Sequence, residues 1–263
     1  MTSQVICEPV LAVLSAMEFE GTLGRITGAQ LDRKLYVEVN KVLVALGGKW
    51  SKRLRGHEFP EDAAGLIEEA ILFGSYDKQK TGVSAFDFFP TPRALAEAVC
   101  VSASLHIDHR ILEPSAGNGA LADVISEHTG GGFLIDCVEL RPDLAAKLAA
   151  KGYSVNAGAS SADFLAMTPE RTYDRVVMNP PFSKRQDIAH IRHAHKFLRP
   201  GGRLVSIASS GVQYRMDRES VAFREFVVGY SGTISTNPAG SFKESGTQAN
   251  TVTVIIPTGE LSA

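Results

Sequence analysis

The chain has 263 residues, 44% of them hydrophobic, and a net charge of -2. That length allows one or two domains with packed cores, and the balanced charge excludes a global basic field, so any nucleic-acid binding must rest on a local patch. Cys7, Cys100 and Cys137 are far apart and lack paired metal-ligand spacing, which argues against a disulfide framework or a zinc site; no metal is expected, and a reducing cytoplasm is the expected location. The apolar stretch at residues 10–14 is too short to cross a membrane and has no positively charged leader, so neither a signal peptide nor a membrane partner is expected.

Residues 1–80 are expected to form a small helical domain. Leu35, Val39, Val42, Leu43 and Leu46 lie on one helical stripe stopped by Gly47-Gly48, and residues 60–73 give a second helix that buries Leu66, Ile67, Ala70 and Ile71. Between them, residues 49–57 are the densest basic run, a loop or short hairpin carrying Lys49, Trp50, Lys52, Arg53 and Arg55. Four cations around the single tryptophan form a candidate phosphate-contacting segment, with a solvated surface as the other reading. For Trp50, a core anchor between the helices is favoured over base stacking. Residues 77–84 read as a linker.

The second domain, residues 81–263, opens on Phe86-Asp87-Phe88-Phe89-Pro90-Thr91-Pro92, where Thr91 before Pro92 predicts a helix start with the threonine hydroxyl as N-cap. Ile111-Leu112-Glu113-Pro114-Ser115-Ala116-Gly117-Asn118-Gly119 reads as a strand and a glycine turn in which Gly117 and Gly119 allow close backbone approach to a ligand. The Gly-x-Gly-x-x-Ala spacing also fits a dinucleotide fingerprint. The strand at residues 134–140 brings Glu139, with Leu140, to the place where an acid grips the ribose hydroxyls of a dinucleotide or of another nucleoside-containing cofactor. A helix to Lys151, a strand near residues 153–155 and a turn at Asp163-Phe164 follow.

Val176-Val177-Met178 is a buried parallel strand ended by Asn179-Pro180-Pro181-Phe182, because proline donates no ladder hydrogen bond. Asn179 therefore lies at a strand's carboxyl end, where open α/β sheets bind ligands. Its side chain and the Pro180 carbonyl offer two uncharged acceptors beside the Phe182 ring, a set suited to an exocyclic amine on a planar base. A helix at residues 187–198 carries His190, His193 and His195 without metal-binding spacing, as a polar face. A strand at 203–208, a helix at 214–230 and two strands within 233–257 complete the pattern.

Asn179-Pro180-Pro181-Phe182 resembles the catalytic tetrapeptide of the S-adenosylmethionine-dependent amino-group methyltransferases, best known in the N6-adenine DNA enzymes. The resemblance covers residues 86–256. It implies an α/β fold, a class I methyltransferase Rossmann-like seven-stranded mixed sheet with helices on both faces, preceded by the small helical domain. It further implies S-adenosyl-L-methionine as cofactor, with Phe89, Thr91 and Pro92 closing over its methionine end, Glu113, Ser115, Gly117, Asn118 and Gly119 forming its loop, Glu139 and Leu140 at the ribose, Asp163 and Phe164 at the adenine, and Asn179 bordering the methyl group. The expected reaction is methyl transfer to N6 of adenine in DNA, with the base flipped out. RNA adenine-N6 or guanine-N2, a protein glutamine, and a non-catalytic DNA-binding role are the alternatives. Ser183, Lys184, Phe242 and Lys243 are expected beside the target base, Lys243 at a phosphate and Phe242 either as the opposite wall of the pocket or as ordinary core. Few residues follow the last strand, where many members carry a large target-recognition domain, so recognition is expected from residues 1–80 and nearby loops, with relaxed specificity.

Overall fold

The computed structural model describes residues 4–76, 89–131, 134–156, 163–182, 185–245 and 249–259. The first part of the chain runs β1 (Gln4–Val5), α1 (Glu8–Ser15), β2 (Glu18–Glu20), β3 (Leu23–Arg25), α2 (Arg33–Ala45), β4 (Lys49–Ser51), β5 (Gly56–Glu58), α3 (Ala63–Phe73) and β6 (Ser75–Tyr76). The small helical domain expected also carries strands beyond the hairpin: β2, β3, β5 and β4 form an antiparallel sheet, and β1 pairs with β6. The helices follow the sequence pattern. The Asp32 carboxylate caps α2 by accepting from the amides of Lys34 and Leu35, and α2 buries Val39, Val42 and Leu43. Helix α3 begins at Asp62, which accepts from the Gly65 amide, and ends at Gly74 with φ of 57°.

The larger unit runs α4 (Arg93–Ala103), β7 (Ile111–Glu113), α5 (Ala120–Thr129), β8 (Ile135–Val138), α6 (Pro142–Ala150), β9 (Ser154–Asn156), β10 (Tyr173–Met178), α7 (Gln186–His195), β11 (Leu198–Ser209), α8 (Gly211–Tyr214), α9 (Arg218–Gly229), β12 (Thr233–Thr236) and β13 (Thr251–Pro257). Its seven strands lie in the order β12-β13-β11-β10-β7-β8-β9. β11, β10, β7, β8 and β9 are parallel, while β13 is antiparallel to both β11 and β12. This is the mixed α/β sheet expected.

Successive side chains of β10 enter opposite cores. Val177 packs with Val99, Ile125 and Val205 on one face, whereas Val176 and Met178 pack with Ile188, Ile191 and Phe223 on the other. Both faces being covered explains why the strand is an unbroken apolar run. Each fully buried aliphatic side chain contributes roughly 1.5–3 kcal/mol. Chain order reverses beside β7, whose neighbours are β10 and β8, and that reversal opens a crevice at the strands' carboxyl ends.

The two units pack on each other. Leu72 of α3 joins the core of the larger unit, its carbonyl accepts from the Asn250 amide at 2.9 Å, and Tyr214 packs against the core of the smaller one. The helix expected over residues 214–230 is α9, which begins at Arg218, and the short α8 ends at Tyr214. Asp217 restarts the helix by accepting from both the amide and the hydroxyl of Ser220. Among the described residues, no helix is long and apolar enough to cross a membrane.

Candidate active site

A cavity of about 600 Å³ occupies the crevice, within the size range of small-molecule sites. The ends of three parallel strands build it. β7 contributes Glu113, β8 leads into Glu139 and Leu140, and β10 leads into Asn179 through Phe182. Phe89 and Thr91, then Ser115, Gly117 and Asn118, then Asp163 and Phe164 complete the expected set on its wall. Pro92 and Gly119 do not line it. Gly119 acts one step back: at φ of 83° it accommodates a left-handed turn, and a Cβ there would lie 2.9 Å from the Leu148 side chain.

The carboxylate of Glu139 spans the glycine turn, accepting from the Gly117 amide and the Arg141 amide, each at 2.7 Å. Asn118 Oδ1 accepts from the Ala120 amide at 3.1 Å, opening α5. Glu113 is 1% exposed, and its Oε2 has no protein partner. Burial above all, reinforced by the charge of Asp123 and opposed by the Ala122 amide, pushes its carboxyl well above the usual carboxylate range. Asp163 accepts from the Leu165 amide at 3.0 Å and so caps the short 3-10 turn (Phe164–Ala166) at the cavity's edge. The Phe164 ring is buried among His190, His193 and Phe197.

At the tip of β10, Asn179 Nδ2 donates to Thr91 Oγ1 at 3.1 Å and to the Phe89 carbonyl at 3.4 Å, while Oδ1 is buried without a protein partner. Thr91 therefore does not cap α4; Pro92 occupies that position without a side-chain hydrogen bond. The helix starts one residue later than expected, at Arg93, and the Thr91 hydroxyl instead accepts from Asn179.

Other expectations shift. Phe242 is fully buried and packs edge-on against Phe182, ring centroids 6.4 Å apart, so it buttresses Phe182 and does not form an opposite wall. Lys243 is exposed and lies outside the cavity lining, as do Lys49, Trp50, Lys52, Arg53 and Arg55. Those five belong to the β4–β5 hairpin, in agreement with the short hairpin expected. Trp50 corrects the core-anchor reading: it is 51% exposed and faces His57 across the hairpin. Ser183 and Lys184, with the linker at 77–84 and Phe86 through Phe88, lie outside the described residues.

The histidines of α7 are not a polar face. His190 and His193 flank Phe164, and His195 is buried against Phe226 and Tyr230. His190 reaches the cavity together with Gln186, one helical turn before it, a spacing that could have flagged the pair. Burial lowers the His190 pKa, against the opposing hydrogen bond to the Gln186 carbonyl. Among the described residues, no cluster of three or more His, Cys, Asp or Glu side chains is arranged to hold a metal.

The family model described as "Methyltransferase small domain" matches residues 93–228, more than half of the chain. The chain belongs to that family. Its methyl donor is S-adenosylmethionine. No curated protein matches the sequence. Among solved structures, the fold is similar to that of a Listeria monocytogenes protein assigned to the class I S-adenosylmethionine-dependent methyltransferases, with TM-score 0.54 and 14% identity over 75% of this chain and 68% of that one. It is also similar to a type I restriction-modification system methyltransferase subunit from Streptococcus thermophilus (0.55, 17%, covering 75% and 50%). For the M protein of the type I restriction enzyme EcoKI the values are 0.55 and 15%, covering 98% and 58%. The chain thus spans 50% and 58% of the two restriction-modification subunits. At these identities the likeness is one of fold.

The cavity fits the methyl donor. A buried polar atom without a protein partner, Glu113 Oε2, lies on its wall, and the turn at Gly117, with φ of 55°, brings backbone to the same wall. Leu140, Phe164 and Leu165 give an apolar slot for a planar ring, and Glu139 retains acceptor capacity for hydroxyls beyond the two amides it holds.

Proposed function

We propose that this methyltransferase acts on the N6 amino group of adenine in DNA. The observation that carries the reading is Asn179 Oδ1, a buried acceptor with no protein partner at the lip of the cavity. A buried carbonyl oxygen left without a donor costs about 1–3 kcal/mol, a cost that an incoming amine removes. Asn179 Oδ1 and the Pro180 carbonyl then accept the two amine hydrogens, holding the nitrogen pyramidal with its lone pair facing the donor end of the cavity. The face of Phe182, steadied by Phe242, keeps the base in place.

S-adenosylmethionine, when bound, supplies an electrophilic methyl carbon on a sulfonium centre. Glu139 and Asp163 would hold its ribose and adenine ends, and the Ser115 to Asn118 turn its methionine portion. No side chain needs to act as a strong base, because the amine loses its proton only after it becomes cationic. Catalysis is then chiefly alignment. Reaching the pocket requires an unstacked base, which costs a few kcal/mol; stacking on an aromatic returns roughly 1–3 kcal/mol. The structural likeness to two restriction-modification methyltransferase subunits supports DNA as the substrate class.

Incubation with cofactor labelled in its methyl group and with DNA, RNA or protein, followed by digestion to nucleosides or amino acids, tests the assignment. Label in N6-methyladenine from DNA is the expected product. Label confined to RNA or to protein glutamine would replace this reading with one of those substrates.

A further inference from the structure

The side-chain amide of Asn179 has two ends of nearly equal shape and opposite chemistry. With its oxygen toward the cavity it accepts from an amine; with its NH2 group there it sets donors against donors. The Phe89 carbonyl, 3.4 Å from Nδ2, can only accept, so it attracts the NH2 group and would repel the oxygen. The Thr91 hydroxyl, 3.1 Å from Nδ2, would tolerate either end, but it supplies the shorter hydrogen bond and so fixes the torsion that brings the amide up to the carbonyl. Thr91 is 7% exposed, which leaves little room for water to take its place. The segment is tied down from its far side as well, because Ser245 Oγ donates to the Pro90 carbonyl at 2.6 Å.

Building on the reading that Asn179 accepts from the target amine, we propose that Thr91 is a positioning residue which, with the Phe89 carbonyl, sets the amide of Asn179 so that its oxygen faces the cavity. Thr91 thereby works on the amine side of the site through Asn179. Its resemblance-based role, contact with the cofactor, is a separate one and gives a different outcome in the same experiment.

Thr91→Val keeps the side-chain shape and removes the hydroxyl; Thr91→Ser keeps the hydroxyl. In the valine variant kcat is expected to fall roughly three- to tenfold, the equivalent of one hydrogen bond, with the cofactor Kd and the nucleic-acid KM unchanged. The serine variant restores kcat. Independently of turnover, the side-chain NH2 protons of Asn179, observed in protein labelled with ¹⁵N-asparagine and identified by their absence in Asn179→Ala, should exchange with water faster in Thr91→Val than in wild type or Thr91→Ser. Thr91→Ala should behave like valine, which guards against a packing defect of the valine methyl. Equal exchange in wild type and Thr91→Val overturns the proposal, as does a weakened cofactor Kd with unchanged kcat at saturation. Absence of methyl transfer to any nucleobase amine by the wild type would refute the functional reading, while the exchange comparison would still decide the part played by Thr91.

Discussion

Asn179 was legible at the level of single residues because two prolines ended an apolar strand there and left the side chain at a carboxyl edge. Replacing it with alanine removes the buried acceptor and leaves the glycine turn untouched. Methyl transfer is expected to fall by at least about 100-fold, the scale of losing one preorganised polar group in a closed site, with calorimetric cofactor affinity largely intact; near-normal turnover would remove Asn179 from the mechanism. Asp187, three residues past the segment at 183–184, carried no functional signal in the sequence. It is fully buried, accepting from the amides of Ile188 at 3.0 Å and Ser209 at 2.9 Å. Burial raises its pKa from 3.8 to about 6, against the opposing Ser209 amide and the charge of Arg215. Because the folded-state value lies above the unfolded one, the folded protein binds this proton more tightly. The ionised carboxylate then costs about 3 kcal/mol at neutral pH, and that cost is removed as pH falls from above 6 to below about 4. Compared with Asp187→Asn, the wild type should therefore gain stability in urea unfolding between pH 7 and pH 4. A difference independent of pH would contradict the assignment.

The parallel strands were readable at the element scale because residues such as Val176, Val177 and Met178 are apolar toward both faces of a covered sheet. The strands of the amino-terminal unit were not. Glu18-Phe19-Glu20 and Leu23-Gly24-Arg25 are three residues long and rich in charge, too short for a period to emerge. Their pairing shows only in three dimensions, where a Cβ on Gly56 would lie 2.8 Å from the Gly24 carbonyl oxygen. The β4–β5 hairpin presents Lys49, Lys52, Arg53 and Arg55 exposed, with no ion pair to any described residue. Changing all four to glutamate should weaken DNA binding and flatten its salt dependence, by about 0.9 in log–log slope for each phosphate no longer neutralised. Undiminished affinity at moderate salt would make the hairpin a solvated surface. At the glycine turn, Glu139→Ala frees the Gly117 and Arg141 amides and removes the carboxylate proposed to hold the ribose. Cofactor affinity should drop by about 10- to 100-fold, as when hydrogen bonds to a charged group are removed; unchanged affinity in calorimetry would refute the role.

For the molecule as a whole, the crevice is set by the order of the sheet, and the order follows from which strands are joined by helices. The amino-terminal unit is held to that sheet by Leu72 and Tyr214, and Arg185, just beyond the tetrapeptide segment, pairs with Asp217 at 2.9 Å and reaches Glu68 of α3 at 4.0 Å. The sheet and most of the cavity wall were legible, since each rests on a local motif at a strand end. The contacts that support Asn179 and Phe182 were not: Thr91 with Asn179, and Phe242 with Phe182, are pairs made by residues about 60 to 90 positions apart, which no local pattern reveals. The most direct measurement is to treat unmethylated DNA with wild type and with Asn179→Ala under saturating S-adenosylmethionine and to quantify methylated nucleosides by mass spectrometry. N6-methyladenine from the wild type, and none from the variant at equal cofactor occupancy, is the predicted result. Methylation at another base, or equal N6-methyladenine from both proteins, would contradict it.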